Sequence, residues 1–278
     1  MPDRLVRHVV ALTIAGSDSS GGAGLQADLK TFTVLGVYGA SVVTAITAQN
    51  TLGVQDAQLL DASLIARQID SVASDLPIGA MKTGMLGSVE IIDVVADGIE
   101  RHGPGLVVVD PVMVAKSGDA LIDDAAVSRM AERMLPLATL VTPNRHEAAR
   151  LLGIATAVEH VDQAGAVAGQ ICDRFGCGAC IVKGISRGNG ESREIVDVLF
   201  DRETITEFPA SWLKTNRTHG SGCTFSAAIT AGLAWGQDLR GAITQARAFI
   251  SRAIERAPGL GHGNPPVSPL AHLRTEER

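Results

Sequence analysis

The chain has 278 residues, which is enough for one large domain with a buried core or for two small ones. Apolar residues make up 46% of the chain but aromatic residues only 3%, so the core must consist mostly of Ala, Val, Leu and Ile, which suits a parallel sheet covered by helices. The formal net charge of -6 and the lack of a dense Lys/Arg tract argue against a nucleic-acid-binding surface.

The first apolar run, residues 9–15, is too short to span a bilayer and lacks a small-residue cleavage pattern. We therefore expect a cytoplasmic protein without membrane attachment. Four cysteines are too few and too clustered for a disulfide framework in a chain of this size. Cys177 and Cys180 have CxxC spacing, but they lack a second pair and a nearby histidine, so we interpret them as structural residues.

The first unit is a strand, a glycine loop and a helix. The loop, residues 16–24, follows the apolar run, and Leu25, Leu29 and Phe32 then recur at helical spacing. The loop lacks the G-x-G-x-x-G spacing of a dinucleotide fingerprint, which disfavours an NAD-dependent oxidoreductase. Asp18, at the carboxyl end of the strand, either hydrogen-bonds a substrate or caps the loop.

Strands and helices continue to alternate after this unit. Residues 40–48 predict a strand that ends in the polar Gln49, and residues 62–74 predict a helix. Residues 78–83 predict a strand that leads to Met85, which lies between two glycines. A methionine there either covers a flat heterocycle or fills a gap in the core.

Polar side chains follow the next two strands. A helix over residues 89–101 precedes an apolar strand, residues 106–109, that ends in Asp110. Open α/β sheets bind ligands outside the carboxyl ends of their strands, so Asp110 is a candidate functional carboxylate. After a helix over 124–135 and a strand over 139–142, Asn144 and Glu147 open a further helix. These two residues can form a capping box, or Glu147 could hold magnesium through water.

The second half of the chain predicts one more parallel strand and an antiparallel addition. A helix over 162–175 leads to the apolar run 180–182 and then to Lys183. Burying a lysine at the end of such a strand is costly without an anion, so we expect Lys183 to contact ATP phosphates. Residues 195–200 and 204–208 predict antiparallel strands at one edge of the sheet.

The last two predicted helices cover residues 224–235 and 238–255, and the first of them follows the sequence THGSGCT at residues 218–224. Unpaired backbone N–H groups and the helix dipole bind anions at such a position, so the stretch predicts a phosphate site; the alternative is a glycine-rich turn that caps an ordinary helix. A thiol in this first turn, that of Cys223, is expected to be more acidic than a free thiol.

Six stretches together carry a family resemblance, and they occur in family order across nearly the whole chain. They are AGSDSSGGAGLQADLKT at residues 15–31, TAQNT at 47–51, KTGML at 82–86, DPVM at 110–113, TPN at 142–144 with Glu147, and THGSGC at 218–223. With these stretches the chain resembles the hydroxymethylpyrimidine and hydroxymethylpyrimidine-phosphate kinases of thiamin synthesis, within the ribokinase-like superfamily.

The resemblance implies a three-layer α/β/α sandwich with a central, mostly parallel sheet. The sequence shows no repeat, heptad pattern or long linker, which predicts a single domain over residues 1–278. It implies phosphorylation of 4-amino-5-hydroxymethyl-2-methylpyrimidine and then of its monophosphate, with ATP as donor and Mg²⁺ as helper ion. A homodimer fits the resemblance, because dimers are common among such enzymes. Pyridoxal kinase is the nearest look-alike, so pyridoxal kinase activity, alone or in addition, and a non-catalytic pyrimidine-binding protein are the alternatives.

The resemblance also implies roles for fourteen residues, carried over position by position. The substrate pocket would consist of Gly16, Asp18, Gln49, Met85 and Val112. ATP would contact Lys183, Asn144 and Thr218, and magnesium would contact Asp110 and Glu147. The catalytic anion hole would consist of Gly220, Ser221, Gly222 and Cys223, with Cys223 as the base for the attacking hydroxyl.

The chain departs from the family pattern at three places. Ser221 replaces the usual threonine, which keeps the hydroxyl. Residues 214–217 read Lys-Thr-Asn-Arg rather than the usual order, so the side chain that contacts phosphate there is not identified. Ile185 and Ser186 stand where glycine and histidine are usual, which predicts a different nucleotide loop.

Overall fold

The computed structural model describes residues 9–103, 105–114, 118 and 121–273, and in this part of the chain a single nine-stranded sheet forms the centre of the molecule. The strands are β1 (Val10–Ser17), β2 (Tyr38–Asn50), β3 (Gly53–Leu59), β4 (Ile78–Thr83), β5 (Val107–Val109), β6 (Leu140–Val141), β7 (Cys180–Arg187), β8 (Glu194–Phe200) and β9 (Ile205–Ser211). Their order is β3-β2-β1-β4-β5-β6-β7-β8-β9. The strands from β2 to β7 in this order pair in parallel, and β3, β8 and β9 add antiparallel edges.

Eight α-helices cover the two faces of the sheet within the described residues. They are α1 (Gly24–Val34), α2 (Ala62–Ala73), α3 (Val89–His102), α4 (Asp124–Arg133), α5 (Arg145–Leu152), α6 (Val161–Phe175), α7 (Ser221–Ala234) and α8 (Leu239–Glu255). Helices α2 to α6 pack in one apolar cluster, and α1, α7 and α8 pack in two others. The α/β/α layering expected from the resemblance is confirmed.

The buried strands alternate their side chains between the two helical layers. Val107 and Val109 pack with α2 to α6, whereas Val108 between them packs with α7 and α8. This period of two explains why a strand buried on both faces has an uninterrupted apolar sequence. Helix α7 is also buried nearly all round, because it packs against both α1 and α8.

Several predicted boundaries differ from the structure. Strand β3 was not predicted, because its sequence GVQDAQL is polar and almost wholly exposed at the sheet edge. Strand β7 continues to Arg187, where a polar connection was expected, and helix α7 begins at Ser221 rather than at residue 224. Within the described residues, no helix is both long enough and apolar enough to cross a membrane.

Candidate active site

A cleft of about 850 Å³ lies at the carboxyl ends of the parallel strands. All fourteen residues implied by the resemblance line this one cleft. They are Gly16, Asp18, Gln49, Met85, Asp110, Val112, Asn144, Glu147, Lys183, Thr218, Gly220, Ser221, Gly222 and Cys223. Residues up to 207 positions apart in the sequence therefore meet at one edge of the sheet, where α/β folds bind their ligands.

The first turn of α7 presents the backbone amides of Gly222 and Cys223, which are called the amide ring below. Gly220 is the N-cap residue, and no side-chain hydrogen bond to a backbone amide caps this helix within the described residues. The Ser221 amide donates to the Thr218 carbonyl at 3.1 Å, and the first helical bond runs from the Thr224 amide to Gly220. The amides of Gly222 and Cys223 precede that bond, so the helix provides no acceptor for them and they are suited to an anion.

Gly220 must be a glycine for two reasons. Its φ of 74° lies in the left-handed region, which disfavours a β-carbon. A β-carbon there would also overlap the carbonyl oxygen of Gly22, in the loop between β1 and α1. The start of α7 therefore packs directly against the glycine loop of residues 16–24.

Lys183 faces this amide ring and forms an ion pair with Asp110. Its Nζ lies 2.9 Å from Asp110 Oδ1, and it would lie 3.5 Å from a β-carbon on Gly222. The pairing of β7 with β8 shifts register between Val182 and Ile185, and such bulges re-aim side chains. In this structure the Asp110 carboxylate compensates the charge of partly buried Lys183. Ile185 and Ser186 belong to strand β7, and the different nucleotide loop stays a prediction.

Asp110 is buried, and both of its carboxylate oxygens have polar partners. Besides Lys183, Thr142 donates to its Oδ1 and Ser226 to its Oδ2, each at 3.1 Å. Burial alone would raise the pKa of the Asp110 carboxyl, but the ammonium groups of Lys183 and Lys82 outweigh it and lower that pKa below its usual value. Asp110 is thus a carboxylate at neutral pH.

Asn144 and Glu147 form the capping box that the sequence allowed. The Asn144 side chain accepts hydrogen bonds from the His146 and Glu147 amides, and Glu147 Oε2 accepts from the Asn144 amide at 2.7 Å. Burial raises the pKa of Glu147 to about 7, opposed mainly by the positive charge of Lys183. The capping bond occupies Glu147 Oε2, a hydrogen bond from the Met113 backbone also lowers the Glu147 pKa, and the side chain borders the cleft.

Magnesium suits this pair of carboxylates. Mg²⁺ is usually bound by one or two carboxylates together with waters and substrate phosphates. Asp110 and Glu147 border the cleft beside Lys183, and they interact electrostatically with each other. Among the described residues, no cluster of three or more His, Cys, Asp or Glu side chains suited to a metal occurs.

Asp18 mainly organises the loop between β1 and α1. It accepts hydrogen bonds from Ser20, from the Gly22 and Ala23 amides at 3.2 and 2.8 Å, and from His219 Nε2 at 2.8 Å. Burial would raise the pKa of Asp18, but the bonds from His219 and Ser20 lower it below its usual value. Asp18 therefore caps the loop, as one of the two predicted roles requires. Its contact with a substrate stays a prediction.

The cleft also contains the residues of the predicted pyrimidine pocket. Gly16 contacts Met85 so closely that a β-carbon on Gly16 would lie 2.7 Å from the Met85 methyl carbon. The Gln49 backbone is held by Ser19, whose hydroxyl bonds both the amide and the carbonyl of Gln49 at 2.8 Å. The Thr47 hydroxyl donates to the Ser17 carbonyl at 2.7 Å, and its oxygen lies 3.3 Å from the side-chain amide of Gln49, which borders the cleft.

The predicted acidification of Cys223 is wrong. The thiol is partly buried in the first turn of α7, and desolvation raises its pKa to about 11. The Lys82 ammonium and a hydrogen bond from the Gly24 amide act in the opposite direction, but they do not overcome burial together with the charges of Asp28 and Asp110. A helix N-terminus alone therefore does not make this thiol acidic.

Two ion pairs at the cleft were not predicted. Lys82, on β4, pairs with Asp28, on α1, at 2.8 Å, and Arg247, on α8, pairs with Asp197, on β8, at 3.1 Å. Lys82, Asp197 and Arg247 all line the cleft. Arg217, by contrast, donates to the Ala257 carbonyl at 3.1 Å and does not line the cleft, so it is directed at the C-terminal segment.

Comparison with known proteins identifies one family over almost the whole chain. The family model described as phosphomethylpyrimidine kinase matches residues 18–268. A relative from Rhizobium meliloti (strain 1021), named hydroxymethylpyrimidine/phosphomethylpyrimidine kinase, is 49% identical over 260 residues, which is 93% of this chain and 96% of that protein.

Solved structures of two related kinds share the fold. The phosphomethylpyrimidine kinase of Clostridium difficile 630 is 40% identical with a TM-score of 0.76, covering 88% of this chain and 99% of its own. The pyridoxal kinase of Bacillus subtilis, solved as an ADP complex, is 38% identical with a TM-score of 0.88, covering 96% of this chain and 100% of its own.

Proposed function

The chain belongs to the phosphomethylpyrimidine kinase family, and we propose that it transfers the γ-phosphoryl group of ATP to hydroxymethylpyrimidine and then to its monophosphate. The observation that supports this most directly is the amide ring at Gly222 and Cys223, which lies beside Lys183 in the same cleft that contains Gln49 and Met85. The proposed phosphate-binding residues and the proposed pyrimidine-binding residues thus line one cavity. The function places the chain in thiamin biosynthesis.

Phosphoryl transfer requires positioning and neutralisation of charge more than covalent assistance. In the first step the substrate hydroxyl oxygen attacks the γ-phosphorus, the bond from that phosphorus to the bridging oxygen breaks, and ADP leaves. The amides of Gly222 and Cys223 and the Lys183 ammonium would stabilise the charge on the transferring group. Magnesium, held by Asp110 and Glu147 together with waters, would neutralise the phosphate oxygens.

Cys223 is proposed as the base that takes the hydroxyl proton in the first step. Only the thiolate form of Cys223 can accept this proton. The hydroxymethyl group of the substrate must also reach the first turn of α7, which lines the same cleft as the predicted pyrimidine pocket. The second transfer has an ionised phosphate oxygen as nucleophile and needs no base. The two steps therefore depend differently on the same residue.

The proposed function is tested by measuring ATP-dependent product formation from hydroxymethylpyrimidine and from its monophosphate separately. We expect both substrates to react, and no turnover of either would refute the function. Pyridoxal is the second candidate substrate, because the pyridoxal kinase of B. subtilis shares the fold over 96% of this chain. Competition between pyridoxal and hydroxymethylpyrimidine in one assay separates the two, since a higher kcat/KM for pyridoxal would reverse the assignment.

The magnesium role of Glu147 predicts a changed metal requirement in Glu147→Gln. Glutamine keeps the capping box but loses the charge, so we expect the Mg²⁺ concentration for half-maximal activity to rise about tenfold or more. Because the Glu147 pKa is about 7, protons compete with the metal, and the wild type should need more Mg²⁺ at pH 6 than at pH 8. The variant should lack this pH dependence.

The matched control is Glu132→Gln, which removes a charge from the exposed face of α4. Its Mg²⁺ requirement should equal that of the wild type at each pH. An unaltered requirement in Glu147→Gln would mean that Glu147 only caps its helix.

We further propose that residues 1–278 act as a single domain, which the shared sheet supports. A homodimer and a cytoplasmic location stay predictions, and the solution mass of the purified protein tests the first.

A further inference from the structure

Strand β7 contains a bulge at Lys183 and Gly184. In its antiparallel pairing with β8, the register shifts between Val182 and Ile185, and the two residues between them oppose only Asp197. Gly184 has a φ of 81°, in the left-handed region that glycine adopts without strain. Two residues opposite one bend a strand and redirect its side chains. The direction of the Lys183 side chain is therefore set within this bulge.

Asp197 holds the peptide that follows Lys183. Its Oδ1 accepts a hydrogen bond from the Gly184 amide at 2.9 Å. On the other side of the Lys183 Cα, the Lys183 amide donates to the Pro143 carbonyl at 2.9 Å. Because peptide units are planar, these two bonds orient the two planes that flank this Cα, and with them the φ and ψ of Lys183. From this backbone position Lys183 Nζ lies 2.9 Å from Asp110 Oδ1.

Packing does not hold the same peptide in place. Gly184 has no side chain, and apart from its chain neighbours no described residue has an atom within 4 Å of the position of a β-carbon on Gly184. The described hydrogen bond of the Gly184 amide is the one to Asp197. Loss of this bond therefore leaves the Lys183–Gly184 peptide free to turn.

Arg247, on α8, holds Asp197 in turn. Its Nη1 lies 3.1 Å from Asp197 Oδ2, and the side chains of Arg247 and Asp197 are 17% and 3% exposed. Arg247 Nε is buried without a hydrogen-bond partner among the described residues, which costs stability. Ion pairs that are largely buried seldom stabilise a fold more than apolar residues of similar volume would. Because both side chains line the cleft, a role at the site explains the pair better than stability does.

We propose that Asp197, held by Arg247, is a positioning residue that directs Lys183 towards the transferring phosphoryl group. Asp197 acts through the Lys183–Gly184 peptide and not by contact with the phosphates. This inference rests on the proposed function where it concerns phosphoryl transfer, whereas the effect of Asp197 on the direction of Lys183 exists without any substrate.

The test compares two double variants that differ only at position 197. Asp197→Asn with Arg247→Gln keeps a side-chain oxygen that can accept from the Gly184 amide, whereas Asp197→Leu with Arg247→Gln removes it. Each double variant removes both charges of the ion pair, so neither leaves a buried charge without its partner. Thermal denaturation gives the temperature range in which both are folded, and all comparisons are made within it.

Crystal structures of the two double variants report the direction of Lys183 without any ligand. The Asp197→Asn double variant should keep the 2.9 Å separation between Lys183 Nζ and Asp110 Oδ1. In the Asp197→Leu double variant the Lys183–Gly184 peptide should turn, and this separation should exceed about 3.5 Å, beyond hydrogen-bond distance. An unchanged separation there would overturn the positioning role, whatever the activity of the variant.

The kinetic readout is kcat/KM for each of the two phosphorylations. The Asp197→Leu double variant should be about tenfold or more below the Asp197→Asn double variant in both steps, with KM for the pyrimidine within about twofold. In a Lys183→Met background the two double variants should have equal kcat/KM, because the group that Asp197 positions is gone. A general loosening of the fold would instead lower the activity in that background as well.

The matched control is Arg187→Gln with Glu194→Gln. It removes an exposed ion pair of 3.0 Å between the same two strands, β7 and β8, and neither residue lines the cleft. Its kcat/KM should stay within about twofold of the wild type for both steps, as exposed ion pairs contribute little.

Equal kcat/KM for the two Asp197 double variants would overturn the role of Asp197 in phosphoryl transfer even in a fully active kinase. Conversely, a displaced Lys183 in the Asp197→Leu double variant of a protein that turns over neither pyrimidine would support the positioning of Lys183 and refute only the proposed function. The two failures are therefore distinguishable.

Discussion

Cys223→Ala is expected to slow the first phosphorylation about a hundredfold or more and to leave the second within a few fold of the wild type. The physical reason is that only the first step must remove a proton from its nucleophile. The measurement is kcat/KM for hydroxymethylpyrimidine and for its monophosphate, each with saturating ATP and Mg²⁺.

The pH dependence of the wild type provides a second test of the same base. Because the Cys223 pKa is about 11, the thiolate fraction rises about tenfold for each pH unit below that value. The first step should therefore accelerate between pH 7 and 9, and Cys223→Ala should lose that slope. An equal loss of kcat/KM for both phosphorylations in Cys223→Ala, or a wild-type rate that does not change with pH, would contradict the base role. Cys223 would then have only a structural role in the amide ring.

Lys183→Met is expected to reduce kcat/KM about a hundredfold or more for both phosphorylations alike. The ammonium lies beside the amide ring, and each transfer builds up charge on the same phosphoryl oxygens. The variant also leaves Asp110 without its ion-pair partner, and breaking a buried pair typically costs about 3 kcal/mol of stability. Kinetics of both steps and thermal denaturation measure the two effects separately.

Lys214→Met is the matched control for this prediction, because it removes an exposed lysine from the segment that precedes the amide ring. It should keep the activity within a few fold of the wild type. Should Lys214→Met match Lys183→Met instead, the phosphate contact belongs to the segment 214–217, and Lys183 serves mainly to hold Asp110.

The parallel part of the sheet was predictable because its strands are short apolar runs that end in polar residues. Asp110 and Lys183 could be placed at one edge of the sheet from their positions after such runs. Strand β3 could not be predicted, because an exposed edge strand with the sequence GVQDAQL has no apolar alternation to distinguish it from a loop. Sequence patterns report burial, and this strand is exposed.

The composition of the site was predictable, but its internal bonds were not. The family stretches supplied thirteen of the fourteen cleft residues, and Lys183 was inferred from its position after an apolar strand. The Lys82–Asp28 pair, however, joins residues 54 positions apart, and nothing in either local pattern indicates the partner. The Cys223 pKa was predicted in the wrong direction for the same reason. Burial and the neighbouring carboxylates outweigh the helix terminus, and both depend on tertiary contacts.

The contact between the first glycine loop and the amide ring has a consequence for folding. The Asp18–His219 hydrogen bond spans 201 positions, and the Pro265 carbonyl accepts a bond from the His219 amide. Contacts so distant in sequence form slowly, because a long loop must close first. During refolding, helical content should therefore recover before catalytic activity, and turnover is the signal that reports the completed native chain.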